Sequence, residues 1–166
     1  NAPVALASAF AADGVLLRLP AGVRVEAPPH ILHLQTGEDH AAFGRSLVVA
    51  EEGASLTVIE SHTGTGAHQT GSLLEIVLEK SAEVHHLKLQ DEALASVHLS
   101  SLAVLIGADA RFDSLDVERG GVLARQQLFI SFAGERATAA LSGVALAGAM
   151  RHLDTTLVID HTVTAP

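Results

Sequence analysis

After its first dozen residues the chain alternates apolar and polar positions in short runs, each broken by a polar or glycine-containing turn. A period of two places successive side chains on opposite faces of a strand, so the pattern predicts strands rather than helices. The exception is the opening NAPVALASAFAADG, with Pro3 in a first turn and Gly14 near its stop, which predicts one short helix. ERATAALSGVALAGAM, from Glu135, is rich in alanine, but its glycines and its place in the repeat described next argue against a second helix.

The turns recur. VVAEEGASLTV, IVLEKSAEVHH and VLIGADARFDS each pass from an apolar strand end through a turn to an alanine and renewed alternation. Those alanines, Ala54, Ala82 and Ala110, are 28 residues apart (82 − 54 and 110 − 82), and SFAGERATAAL repeats the pattern at Ala137. A fixed period of this size marks a stacked array. The same step carries Leu56 to Val84 and Phe112, and Ile76 and Leu78 to Val104 and Ile106. With slips, that run continues through Ile130 and Phe132 to Leu157 and Ile159.

In AEVHHLKL the inward set Ala82, Val84, His86 changes parity to Leu87 and Leu89; in ARFDSLDV the inward set Ala110, Phe112, Ser114 changes parity to Leu115 and Val117. A bend at the same register in successive coils accounts for the shift. The expected fold is all-β, a parallel β-helix of roughly five rungs with two or three short strands each and an aliphatic lumen, the N-terminal helix serving as a cap. Its ends present strand edges, which predicts self-association as a homodimer. Residues 1–166 are expected to form a single domain, cut from a longer chain because Asn1 is not a methionine.

Composition narrows the function. Tryptophan and tyrosine are absent and phenylalanine occurs five times, which disfavours an aromatic-lined ligand pocket. Ten basic against nineteen acidic residues leave a formal charge of −9, which repels nucleic-acid backbones and anionic membranes. Without cysteine, thiolate ligation and thiol catalysis are excluded within this chain.

Ten histidines are the remaining candidates for chemistry. HLDTTLVIDH looks like a metal motif, but alternation places His152 outward and His161 inward or in a turn, roughly 30 Å along an extended strand at about 3.3 Å per residue. His152 and Asp154 share a face as a solvated pair. His30 and His33 differ in parity. His62 and His68 flank a Gly/Thr loop, HTGTGAHQTG, and His86 reads as a corner histidine bonded to backbone. Ser142-Gly143 and Gly120-Gly121 read as turns without a nucleophile elbow or phosphate cradle. Glu51-Glu52 and Asp91-Glu92 fall in turns as solvated charge. No catalytic, cofactor-binding or metal-ligating residue is assigned.

Several stretches together resemble the SufB/SufD family of iron–sulfur cluster assembly proteins, and SufD most. They are ALASAFAADGVLLRLPAGVRVEAPPHI, LVVAEEGASLTVIE, EVHHLKLQDEA with SVHLSSL, GGVLARQQLFISFAGERATAALSGVAL and HLDTTLVIDH. The resemblance implies a right-handed parallel β-helix core and a non-enzymatic cytoplasmic scaffold. It also implies pairing with a SufB-like paralogue or as a homodimer, and work with a SufC-type ATPase. His86, His98, Gly143, His152, Asp154 and His161 match recurrent family positions without acquiring a role. The family's cluster-site histidine and ATPase-docking helices are implied to lie beyond Pro166, so the fragment is expected to bind no cofactor, the Fe–S cluster being assembled by the full complex. Two other readings compete. A carbohydrate-active β-helix enzyme would need aromatic stacking that five phenylalanines supply poorly. A cupin-like metal protein would need histidine and glutamate converging from neighbouring strands.

Overall fold

The computed structural model describes residues 2–148 and 150–162; the outer bounds of the expected domain, Asn1 and Pro166, lie outside them. One helix, α1 (Ala2–Phe10), precedes β1 (Leu16–Leu19), β2 (His30–Gln35), β3 (His40–Ala50), β4 (Ser55–Gly64) and β5 (His68–Leu78). Then come β6 (Glu83–Glu92), β7 (Val97–Ile106), β8 (Arg111–Glu118), β9 (Leu123–Phe132), β10 (Thr138–Ala145) and β11 (His152–His161). Odd strands form one six-stranded sheet in sequence order and even strands a five-stranded one, all neighbours parallel. Each coil is therefore one strand of each sheet, and the chain winds about five times. ERATAALSGVAL contributes β10, a strand as expected.

The columns stack as the repeat requires. Leu56 pairs with Val84, Val84 with Phe112 and Phe112 with Ala139. Ile76, Val104 and Ile130 follow one another in the facing sheet. The last step departs by two residues: Leu157 lies beside Leu128, Ile159 beside Ile130, and His161 takes the place after Phe132, their rings stacked at 4.8 Å.

The turn before each marker alanine has one backbone geometry. Gly53, Ser81, Asp109 and Arg136 all adopt positive φ, between 57° and 69°. The Gly53 N–H donates to the Lys80 carbonyl, that of Ser81 to Ala108 and that of Asp109 to Glu135, so even the corners are hydrogen-bonded coil to coil. Ala54, Ala82 and Ala110 then turn inward and are buried.

Two expectations are corrected. The helix does not cap an end of the stack: α1 lies across the outer faces of β3, β5 and β7 with Ala7 buried, and Phe10 meets Phe43 at 5.7 Å. Gly71 lies under Phe43, and a Cβ there would come within 2.3 Å of the ring. Nor does Gly14 stop the helix, which ends at Phe10; Gly14 sits against β3, where a Cβ would meet the Arg45 carbonyl oxygen at 1.8 Å.

The parity shift is also absent. Leu87 and Leu89 are 39% and 41% exposed, whereas Lys88 and Gln90 are 2% and 0% exposed. Alternation runs unbroken through Val84, His86, Lys88, Gln90 and Glu92, and likewise through Phe112, Ser114, Asp116 and Glu118, leaving Leu115 on the outer face. Half the lumen is aliphatic and half is polar.

Phe112 is wholly enclosed in the aliphatic half, while Phe129 faces outward on β9. Phe112→Ala is expected to lower the unfolding free energy by about 3–5 kcal/mol, and Phe129→Ala by less than about 1 kcal/mol. Urea unfolding of the two variants checks the assignment of faces.

Candidate functional site in the lumen

The polar half is built from the later residues of the even strands and the earlier residues of the odd ones. On β2 the inward positions are Ile31 and His33; on β4 they continue to Glu60 and His62; on β6 they are His86, Lys88, Gln90 and Glu92. Opposite them stand Thr70 and Ser72 of β5, His98 and Ser100 of β7, and Gln126 of β9. His33 pairs in register with His62, and Val58 with His86 and Ser114.

Glu60 is the centre. His62 Nε2 donates to its Oε1 at 2.9 Å, His86 Nε2 to its Oε2 at 3.2 Å, and His33 Nε2 lies 3.2 Å from Oε1 outside hydrogen-bond alignment. The His33 and His62 rings stack at 4.2 Å with 4° between their planes. Burial works to raise the Glu60 carboxyl, but His62, His33 and His86 outweigh it and hold the group well below the usual carboxylate range. Burial pushes His62 down to about 3 against the pull of Glu60, so its ring is neutral at neutral pH.

The His98 ring meets His62 edge-on at 4.6 Å and leads to a second carboxylate. Glu92 accepts from Gln90 Nε2 (3.0 Å), His68 Nε2 (3.3 Å) and the Thr70 hydroxyl, and His98 Nδ1 lies 2.8 Å away. Burial favours the neutral acid at Glu92, yet His98, Gln90 and Thr70 together lower its pKa. Burial and the Lys88 charge both lower His98, against Glu92 and Glu60. Lys88 Nζ donates to Ser100 Oγ at 2.6 Å and to Gln126 Oε1, with Glu118 at 3.8 Å. Burial raises both Asp116 and Glu118, with Lys88 opposing.

The sequence reading gave these side chains other surroundings. His62 and His68 do not flank a free loop; His62 lies near the end of β4 and His68 begins β5, both buried and facing inward. His86 is not at a corner or on backbone but mid-strand, between Glu60 and Ser114 Oγ (3.1 Å). Glu92 is buried rather than solvated, and Ser142-Gly143 lies within β10 rather than in a turn. Gly120-Gly121 is a turn: Gly121 has φ 77°, and the Gly120 N–H donates to Gln90 Oε1 at 2.9 Å. His152 is exposed, and Asp154 pairs with Arg125 at 3.2 Å. His30 faces out toward Ser61, so parity separates it from His33 as expected. The convergence demanded of a cupin-like site does occur, from β2 and β4, through His33, Glu60 and His62, but within a parallel coil. The signal for it was the inward parity of Val58 carried two and four residues on.

In-register parallel coils, a lumen divided between aliphatic and ionisable halves and tight positive-φ corners define a parallel β-helix. The family model described as "SUF system FeS cluster assembly, SufBD core domain" matches residues 33–165. The chain belongs to this SufBD family. Among curated relatives, it is 30% identical over 142 residues to an iron-sulfur cluster assembly SufBD family protein of Mycobacterium bovis, covering 86% of this chain and 33% of that one. It is 28% identical over 134 residues to Protein ABCI7, chloroplastic, of Arabidopsis thaliana, covering 75% of this chain and 28% of that one. It is also 27% identical over 128 residues to a SufBD family protein of Synechocystis sp., covering 70% and 28%. The chain thus spans about a third of the length of the curated relatives it matches. No solved structure matches it significantly. No helix among the described residues is long and apolar enough to cross a membrane.

Because His62 titrates near 6.5 when unfolded and at about 3 when folded, acid protonates the unfolded chain first. Its contribution to stability is complete above about pH 6.5 and declines toward pH 3, by up to about 1.4 kcal/mol per pH unit. In chelator-containing buffer, the stability difference between wild type and His62→Gln should shrink steadily from pH 7 to pH 4. A difference constant over that range in urea titrations would contradict this assignment.

Proposed function

We propose that the chain is the core of a SufD-like scaffold subunit of the SUF iron–sulfur cluster assembly system. The observation that carries this reading is the SufBD core match across residues 33–165, laid over a coil whose columns stack in register. The scaffold works in the cytoplasm through protein contacts, without catalysing a reaction of its own. It pairs with a SufB-like paralogue or with a second copy of itself, and it joins a SufC-type ATPase through regions outside residues 1–166. The cluster is the cargo of the assembled complex, and none is resident in these coils. A scaffold role suits a lumen whose aliphatic half is filled and in which Lys88 is bonded to Ser100 and Gln90 to Glu92.

Co-expression with the SufB-like and SufC-type proteins of the same system should yield a SufB-containing complex on size-exclusion chromatography. Iron and sulfide reconstitution of the chain alone should give no stoichiometric cluster absorbance. A full complement of cluster on the isolated chain, or elution apart from the SufB-like protein, would overturn the reading.

A further inference from the structure

We propose that His33, Glu60 and His62 form a binding site for one divalent first-row transition cation inside the N-terminal coils. One ligand atom from each residue lies within 4.8 Å of the other two. Glu60 Oε1 is 3.2 Å from His33 Nε2 and 2.9 Å from His62 Nε2. Ligand atoms held at roughly 2.0–2.1 Å from one ion stand about 2.9–3.4 Å apart, so these side chains need little adjustment to close on a metal. Two imidazoles and one carboxylate suit zinc, cobalt, nickel or ferrous iron, and suit calcium or magnesium poorly.

The fold holds this set rather than merely allowing it. Parallel register puts His33 beside His62, with the rings stacked, and the two-residue period puts Glu60 on the same face of β4 as His62. His86 holds the second carboxylate oxygen through Nε2 and is itself fixed by Ser114 through Nδ1, the arrangement by which outer partners orient metal ligands. His33 Nε2, one of the three converging atoms, is buried and has no hydrogen-bond partner among the described residues. The ammonium in register with Glu60, Lys88, turns away to Ser100 and Gln126, which leaves the carboxylate facing imidazoles alone. Entry is by way of His33, whose side chain on the edge strand β2 is 17% exposed. The inference stands on this geometry and does not depend on the assembly role.

The test is titration of the chelator-stripped chain with cobalt(II) near neutral pH, read by visible ligand-field absorbance, with zinc(II) as competitor in calorimetry. A single equivalent should bind, with displacement by zinc. His33→Gln, Glu60→Gln and His62→Gln should each weaken binding beyond the roughly 10–100-fold that loss of an outer partner costs, and His86→Gln should fall within that range. His85→Gln, which removes a half-buried histidine on the outer face beside Glu83 and Asp113, should leave binding unchanged. Circular dichroism reports folding, and His33→Gln, at the partly open edge, keeps the test decisive if the interior variants unfold. No cobalt binding to the folded chain, or binding that survives His33→Gln or is lost in His85→Gln, would overturn the proposal.

Discussion

Parallel pairing in register is the constraint from which the rest of the molecule follows. Once β4, β6 and β8 align residue on residue, whatever occupies a position in one coil must be compatible with its neighbours above and below. In the aliphatic columns compatibility is simple, since Leu56, Val84 and Phe112 remove apolar surface from water against one another. At the corners it takes the form of backbone hydrogen bonds between successive positive-φ turns, a conformation that costs Ser81, Asp109 and Arg136 more than it costs Gly53.

In the polar columns compatibility is harder. A buried polar atom left without a partner costs about 1–3 kcal/mol, and more if charged. The lumen answers with chains of side chains that satisfy one another between the sheets: Lys88 with Ser100 and Gln126, Gln90 with Glu92 and Gly120, Glu60 with three imidazoles. Among the described residues the pairing is incomplete at His33, His62, His68 and His98, beside Glu60 and Glu92, and at Ser101, Asp116, Glu118 and Gln127. Replacing the whole set by aliphatic residues would remove that cost, so the polar half is not explained by stability. Three of its members, His33, Glu60 and His62, are the set proposed above to hold a cation.

The period, the parallel coil and the aliphatic columns were legible in the sequence because the marker alanines and the Leu56, Val84, Phe112 series repeat at a constant interval. The polar lumen was hidden by the assumption that inward means apolar. Leu87 and Leu89 drew the inward face to themselves, and Lys88, Gln90 and Glu92 were assigned to solvent, although strict alternation from Val84 already pointed them inside. His33 could not be matched to His62 from one strand alone. Their meeting depends on the β2 to β4 register, which is set across a connection of irregular length. The helix was foreseen but not its place, because nothing in Ala2–Phe10 specifies a flank rather than an end.

The corners also govern how the chain can change length. From β6 to β8 the offset is 28 residues, from Val104 to Ile130 it is 26, from Arg111 to Thr138 it is 27, and from Ile130 to Ile159 it is 29. Strands cannot absorb such differences, since a slip of one residue would turn every buried side chain to the outside. Insertions and deletions are therefore taken up in the bends, where a residue more or less alters a protruding edge and leaves the interior stacking intact. A coil can gain or lose a residue at its bend and change its contour while His33, Glu60 and His62 keep their places over one another.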